Sequence, residues 1–208
     1  MIKKILFCLM LFTFFNSWIF AQNFEKWGIS AQYQFVNPIG SLSNWFKPSP
    51  SSISLSIGKF TSEQWFWEIK AEMIQYSKEN ADKLYYDDLD LKLEIYGIAA
   101  QAKYFLFQNQ SKLQPYATGS AGVYRWLGQR GSYLLEDKFV PKRDQSDWSW
   151  GFNFGIGLNF YLFKKLALTT TGSYQIIVGE LWPALAVRLE NVSGFQCLKA
   201  SAGVSFYF

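Results

Sequence analysis

The sequence predicts an all-β chain: an eight-stranded antiparallel up-and-down transmembrane β-barrel with four long loops on one end and three short turns on the other. Three observations carry that expectation. Alternation of apolar and polar residues recurs eight times, the connections between these stretches are long and short in turn, and the polar face is made largely of small residues. Strict alternation gives a strand two faces of opposite character. Short and long connections in turn, with an even strand number, place all long loops at one end.

The first stretch, WGISAQYQF, sets Trp27, Ile29, Ala31, Tyr33 and Phe35 against Gly28, Ser30, Gln32 and Gln34. SISLSIGKF sets Ile53, Leu55 and Ile57 against Ser52, Ser54, Ser56 and Gly58. WFWEIKAEM opposes Trp65, Trp67 and Ile69 to Glu68, Lys70 and Glu72. In LKLEIYGIAAQAKYFLF the apolar face passes from Leu91, Leu93 and Ile95 to Ile98, Ala100, Ala102 and Tyr104, a slip that a bulge at Gly97 would produce. The fifth, LQPYATGSAGVYRW, is irregular and its facing stays open. The sixth, WSWGFNFGIGLNFY, is the most regular: Trp148, Trp150, Phe152, Phe154, Ile156, Leu158 and Phe160 oppose Ser149, Gly151, Asn153, Gly155, Gly157 and Asn159. LALTTTGSYQIIV and LKASAGVSFYF complete the set. Residues 37–51, 77–90, 128–147 and 179–195 form the long connections, and TSEQ, QNQSK and FKK the short ones.

The start of the chain stands apart. MIKK, the apolar run ILFCLMLFTFF and an ending at Ala21 have the layout of a secretory signal peptide over residues 1–21, leaving 22–208 as one barrel domain. Removal of Lys3 and Lys4 lowers the formal charge from +4 to +2, too weak a bias to argue for nucleic acid. Cys197 is then the single cysteine, so the exported chain has no internal disulfide framework.

Which face is inside decides the class. Turning the apolar face inward would give a soluble lipocalin-like carrier. Two features favour the opposite. The polar face holds Gly28, Ser54, Ser56, Gly58, Gly151, Gly155, Ser201 and Gly203, as the narrow interior of eight strands requires. The aromatic residues gather at two levels: Trp27, Trp65, Trp67, Phe160, Tyr161, Phe206 and Phe208 near the short turns, and Trp126, Trp148 and Trp150 near the long loops. Two girdles match an interfacial aromatic belt, and closure satisfies the backbone hydrogen bonds that lipid leaves no other way to make.

The leader, LEIYGIAAQAKYFLF, LQPYATGSAGV, GFNFGIGLNFYLF and the terminal VSFYF together resemble the small outer-membrane β-barrels typified by OmpA and OmpX. They are similar also to the OmpA-like and PorT-like barrel domains of Bacteroidota-type Gram-negative bacteria. The family's LEIP-type stretch stands here as Leu93-Glu94-Ile95-Tyr96, and the barrel is expected to stand without the peptidoglycan-binding domain of OmpA. The resemblance implies residence in the outer membrane with lipids as partners. It implies a structural or interaction role, as an accessory of envelope assembly or secretion, with a small channel or transporter as the alternative.

Chemistry finds little purchase. The chain contains no histidine, which removes the imidazole on which the known barrel enzymes rely and any His-based metal site. Cys197 therefore lacks an activating base. GFNFGIG lies within a strand and opens no helix, so it does not read as a phosphate cradle. Asn191-Val192-Ser193 reads as ordinary loop. No catalytic residue, cofactor or metal site is expected. The candidate constellation is a set of lumen charges, Glu68, Lys70, Glu72, Glu94, Lys103, Arg125 and Lys199. They read as an ion-pair plug, because buried charges must pair; the alternative is a narrow ion path. In the long loops, Trp45, Phe46 and Trp182 are candidates either to dock an envelope protein or to fold over the barrel rim. The barrel is expected to act as a monomer.

Overall fold

A computed structural model describes residues 27–77, 90–107, 112–135, 138–181 and 192–208. The leader and Trp182 lie outside the described residues. Eight strands close into a barrel: β1 (Trp27–Ile39), β2 (Ser49–Phe60), β3 (Trp65–Tyr76), β4 (Leu91–Phe105), β5 (Leu113–Arg130), β8 (Arg143–Phe163), β9 (Leu166–Leu181) and β10 (Val192–Tyr207). Two three-residue strands, β6 (Tyr133–Leu135) and β7 (Lys138–Val140), form a separate hairpin between β5 and β8. Every neighbouring pair is antiparallel.

Closure is made by β1 and β10, paired from Gly28 with Tyr207 to Ile39 with Gln196. At the seam Trp27 N donates to Phe208 O at 2.9 Å and Phe208 N donates back to Trp27 O at 2.8 Å. No sheet edge is left in the wall, which meets the demand of a hydrocarbon solvent.

The strands outrun the alternating stretches. β5 continues to Arg130 and β8 begins at Arg143, although 128–147 reads as loop from the sequence. Beyond the apolar zone neither face is obliged to be apolar, so alternation fades while backbone pairing continues.

Around the middle of the barrel the polar face points inward. Ile29, Tyr33, Ile53, Leu55, Ile69, Ile98, Phe154 and Ile156 are exposed on the outside, and Gln34, Ser52, Ser54, Glu68, Lys70, Gln101, Asn153 and Gln175 are buried within. Strand β5, left open above, faces Tyr116, Tyr124 and Trp126 inward and Ala117, Val123 and Arg125 outward.

Three expectations are corrected here. The registers of β4 with β3 and β5 run unbroken past Gly97, so there is no bulge. Leu91, Leu93 and Ile95 face the interior, and the glycine serves another purpose. A Cβ at Gly97 would fall within contact distance of the Tyr124 ring, and one at Gly151 would meet the same ring from the other side. Tyr124 therefore lies in a slot between two glycines. Trp126 leaves the outer girdle and is buried inside, its Nε1 donating to Ser149 Oγ at 3.1 Å. Tyr161 also leaves it, half-buried against Tyr207.

Candidate functional site: a three-layer lumen

The barrel interior divides along its axis. Toward the long connections lies an apolar layer of Val36, Leu42, Ile74, Tyr76, Leu91, Leu93, Ile95, Trp126, Ile177 and Phe195. It is capped by the β1–β2 connection. Gly40, at a positive φ of 60° that suits glycine, opens a 3-10 turn (Gly40–Asn44) that sends Leu42, Trp45 and Phe46 into this layer. Trp45 and Phe46 are 2% and 3% exposed, so they do not present a docking surface. Aromatic residues in a connection folded over a barrel mouth lose more water by packing inward, where Phe46 meets Tyr76 at 5.4 Å between centroids.

At the short-turn end a second apolar layer is aromatic: Phe60, Phe66, Phe105, Tyr116 and Tyr207 with Ala167. Phe60 meets Phe66 at 4.8 Å and Tyr207 at 5.6 Å. Asn159 Nδ2 donates to the Tyr207 hydroxyl at 2.8 Å and Thr169 Oγ1 donates to Asn159 Oδ1 at 2.9 Å. The polar tips of this layer are thus satisfied.

Between the two lies the charged layer, built around two carboxylates on β3. Alternation puts Glu68, Lys70 and Glu72 on one face two residues apart. Glu68 Oε1 accepts from Lys103 Nζ at 2.8 Å and Gln101 Nε2 at 2.7 Å, and its Oε2 accepts from Ser56 at 2.7 Å. Glu72 Oε2 accepts from Lys199 at 2.8 Å and Lys70 at 3.1 Å. Glu72 Oε1 accepts from Gln175 at 2.7 Å and from the Tyr124 hydroxyl at 2.9 Å. Each carboxylate is therefore shared among several strands, a geometry that holds a buried charge at tolerable cost. Lys103 also stands over the rings of Phe66 at 5.6 Å and Tyr116 at 5.7 Å, joining this layer to the aromatic one.

The structure gathers Glu68, Lys70, Glu72, Lys103 and Lys199, and it does not bring Glu94 or Arg125 to them. Because β4 keeps one phase, Glu94 faces outward, paired with Lys92 at 2.6 Å and receiving the Tyr96 hydroxyl at 2.9 Å. Arg125 lies outside on β5, its guanidinium 6.0 Å from the Trp148 ring. Sequence reasoning missed Tyr124, Gln175 and Gln101. Their signal was present in part: Tyr124 sits beside two lumen glycines in register, but without the register a buried tyrosine reads as packing.

The charged layer encloses a cavity of about 20 Å³ lined by Ser30, Gln34, Ser54, Lys70, Asn153 and Ser201 among others. Asn153 Oδ1 has no hydrogen-bond partner among the described residues. That volume holds about one water. Cys197 is buried and unpaired, its thiol 3.7 Å from Gln175 Oε1. Among the described residues no group of three His, Cys, Asp or Glu side chains is placed to hold a metal ion.

The family profile described as "Outer membrane protein beta-barrel domain" matches residues 6–190. The chain belongs to that family. Its place is the cell outer membrane, with the apolar face against lipid, and the soluble-carrier alternative falls with that placement. Solved structures agree in fold. Neisserial surface protein A shares 19% identity over 88% of this chain and 97% of its own, with a TM-score of 0.53. A major outer-membrane protein of Thermus thermophilus shares 10% identity over 88% and 99%, with a TM-score of 0.56. OprG of Pseudomonas aeruginosa shares 13% over 88% and 96%, with a TM-score of 0.51. No curated protein matches the chain.

Proposed function

We propose that this outer-membrane barrel is a non-conducting, non-catalytic protein with a structural or interaction role, serving envelope assembly or secretion as an accessory through its long-loop end. The observation that carries the reading is the layering of the lumen. Two apolar layers, at opposite ends, flank charges that are already paired with one another. An ion entering from either end would have to cross a buried apolar layer to reach the paired charges at the centre, and desolvation there is costly. With Trp45 and Phe46 folded inward, the large exposed apolar groups outside the barrel wall at this end are, among the described residues, those of the β6–β7 hairpin. There Leu134 and Phe139 stand opposite each other, 68% and 69% exposed. A docking role for the loops falls to this pair.

The competing reading is a small channel with a narrow charged lumen, and the polar cavity beside Lys70 is the observation in its favour. Planar-bilayer recording of the purified barrel separates the two. The structural reading expects current at background. Discrete openings that Lys103→Met or Glu68→Gln alters would establish the channel instead. Co-purification in mild detergent, compared between the native chain and a Leu134→Ser/Phe139→Ser variant, tests the hairpin as the docking element.

A further inference from the structure

The lipid-facing wall is not uniformly convex. On neighbouring strands Ala117, Ile156, Gly172 and Ala200 lie side by side in register, with Pro115, Leu158, Thr170 and Ala202 forming the next row toward the short turns. The small members of these rows leave a groove of about 550 Å³ in the outer surface of β5, β8, β9 and β10, with Leu106, Ile156 and Leu158 among its walls. A Cβ built on Gly172 meets nothing within 4 Å, so the floor is unfilled.

The rim of the wall beneath this groove is basic. Lys112 pairs with Tyr161 at the start of β5, and Lys164 and Lys165 form the β8–β9 turn; all three are exposed. The two turns at this edge, residues 106–112 and 163–166, contain no acidic residue in sequence. Five residues separate Lys112 from Ala117 and seven separate Lys165 from Gly172. At about 3.3 Å per residue the groove floor lies roughly 17–23 Å from the rim along the strands. Half of a hydrocarbon core spans roughly 15 Å. Basic rim and apolar groove are thus separated by about the length of one lipid molecule.

We propose that this groove holds one acyl chain of an anionic glycerophospholipid from the short-turn leaflet, with its phosphate against Lys112, Lys164 and Lys165. Three arguments select this occupant. The groove is continuous with the lipid-facing surface, so an apolar molecule from the bilayer fills it. The charge at the rim complements a phosphate. A second copy of the barrel fits poorly, because a two-fold contact would set one concavity against another and leave the space empty.

Native mass spectrometry of the barrel from mild detergent tests the site, with phosphatidylglycerol and phosphatidylcholine of identical acyl chains as probes. The expected result is one retained phosphatidylglycerol per barrel and at least tenfold weaker retention of phosphatidylcholine. Gly172→Leu, which fills the groove from outside, should abolish retention of both. Lys112→Gln/Lys164→Gln/Lys165→Gln should leave retention but remove the preference. Heat-modifiable gel mobility confirms that each variant is folded, and if Gly172→Leu fails that check, Ala200→Leu fills the same groove. Equal lipid retention by native and filled barrels overturns the proposal. So does a dimer that the filling substitution disperses, which would make the groove an interface between copies.

Discussion

Two glutamate–lysine pairs in this barrel differ by position rather than by chemistry. Lys92 and Glu94, on the outside of β4, stand 2.6 Å apart with side chains 44% and 20% exposed. Lys199 and Glu72, inside, stand 2.8 Å apart with side chains 2% and 1% exposed. The shorter pair is the less consequential one. Water solvates both its members and offers each an alternative to the other, whereas a lumen charge that loses its partner has only apolar layers above and below. Separation alone does not rank ion pairs; the surroundings do.

Substitutions at these positions, read as urea unfolding in lipid vesicles, should separate inside from outside. The largest effect is expected from Gly97→Leu, whose side chain would occupy the Tyr124 ring's place and expel the hydroxyl from Glu72. That variant should fail to reach the heat-modifiable form. Glu72→Ala should destabilise by about 3–5 kcal/mol, because Lys70 and Lys199 remain buried without their carboxylate. Tyr124→Phe keeps the ring in its slot and removes one bond to a charged acceptor, for a loss of about 1.5–3 kcal/mol. Arg125→Ala, which removes an exposed guanidinium from the Trp148 ring, should cost about 0.5–1 kcal/mol. Glu94→Gln should unfold with the native protein. A Glu94→Gln loss as large as that of Glu72→Ala would show that β4 faces the other way.

Where the sequence was read correctly, two independent signals coincided. The facing of β3 was legible because Glu68, Lys70 and Glu72 alternate with Trp67, Ile69 and Ala71, and each set supports the other. On β4 one signal misled. Leu91, Leu93 and Ile95 are apolar because they enter the upper lumen layer, yet apolar residues on a barrel strand read first as lipid-facing. The phase slip at Gly97 follows from that and carries Glu94 into the lumen with it, whereas Arg125 lies on β5, whose irregular alternation leaves its facing open. Trp126, Trp45 and Phe46 repeat the lesson, since a barrel this narrow fills its ends with aromatics as readily as its middle with charges.

Eight strands, their up-and-down order and the inward turn of the polar face in the middle of the barrel are legible in the residues alone. Alternation is a local property, and lipid outside a narrow wall leaves it only one orientation. Tertiary structure decided what the interior is made of. Which lysine meets which carboxylate, which glycines hold Tyr124, and which connection closes the mouth depend on register between strands up to 127 residues apart in the pairing of Lys199 with Glu72. No local pattern encodes such a register; it emerges only when the barrel closes and every inward side chain must share one small volume.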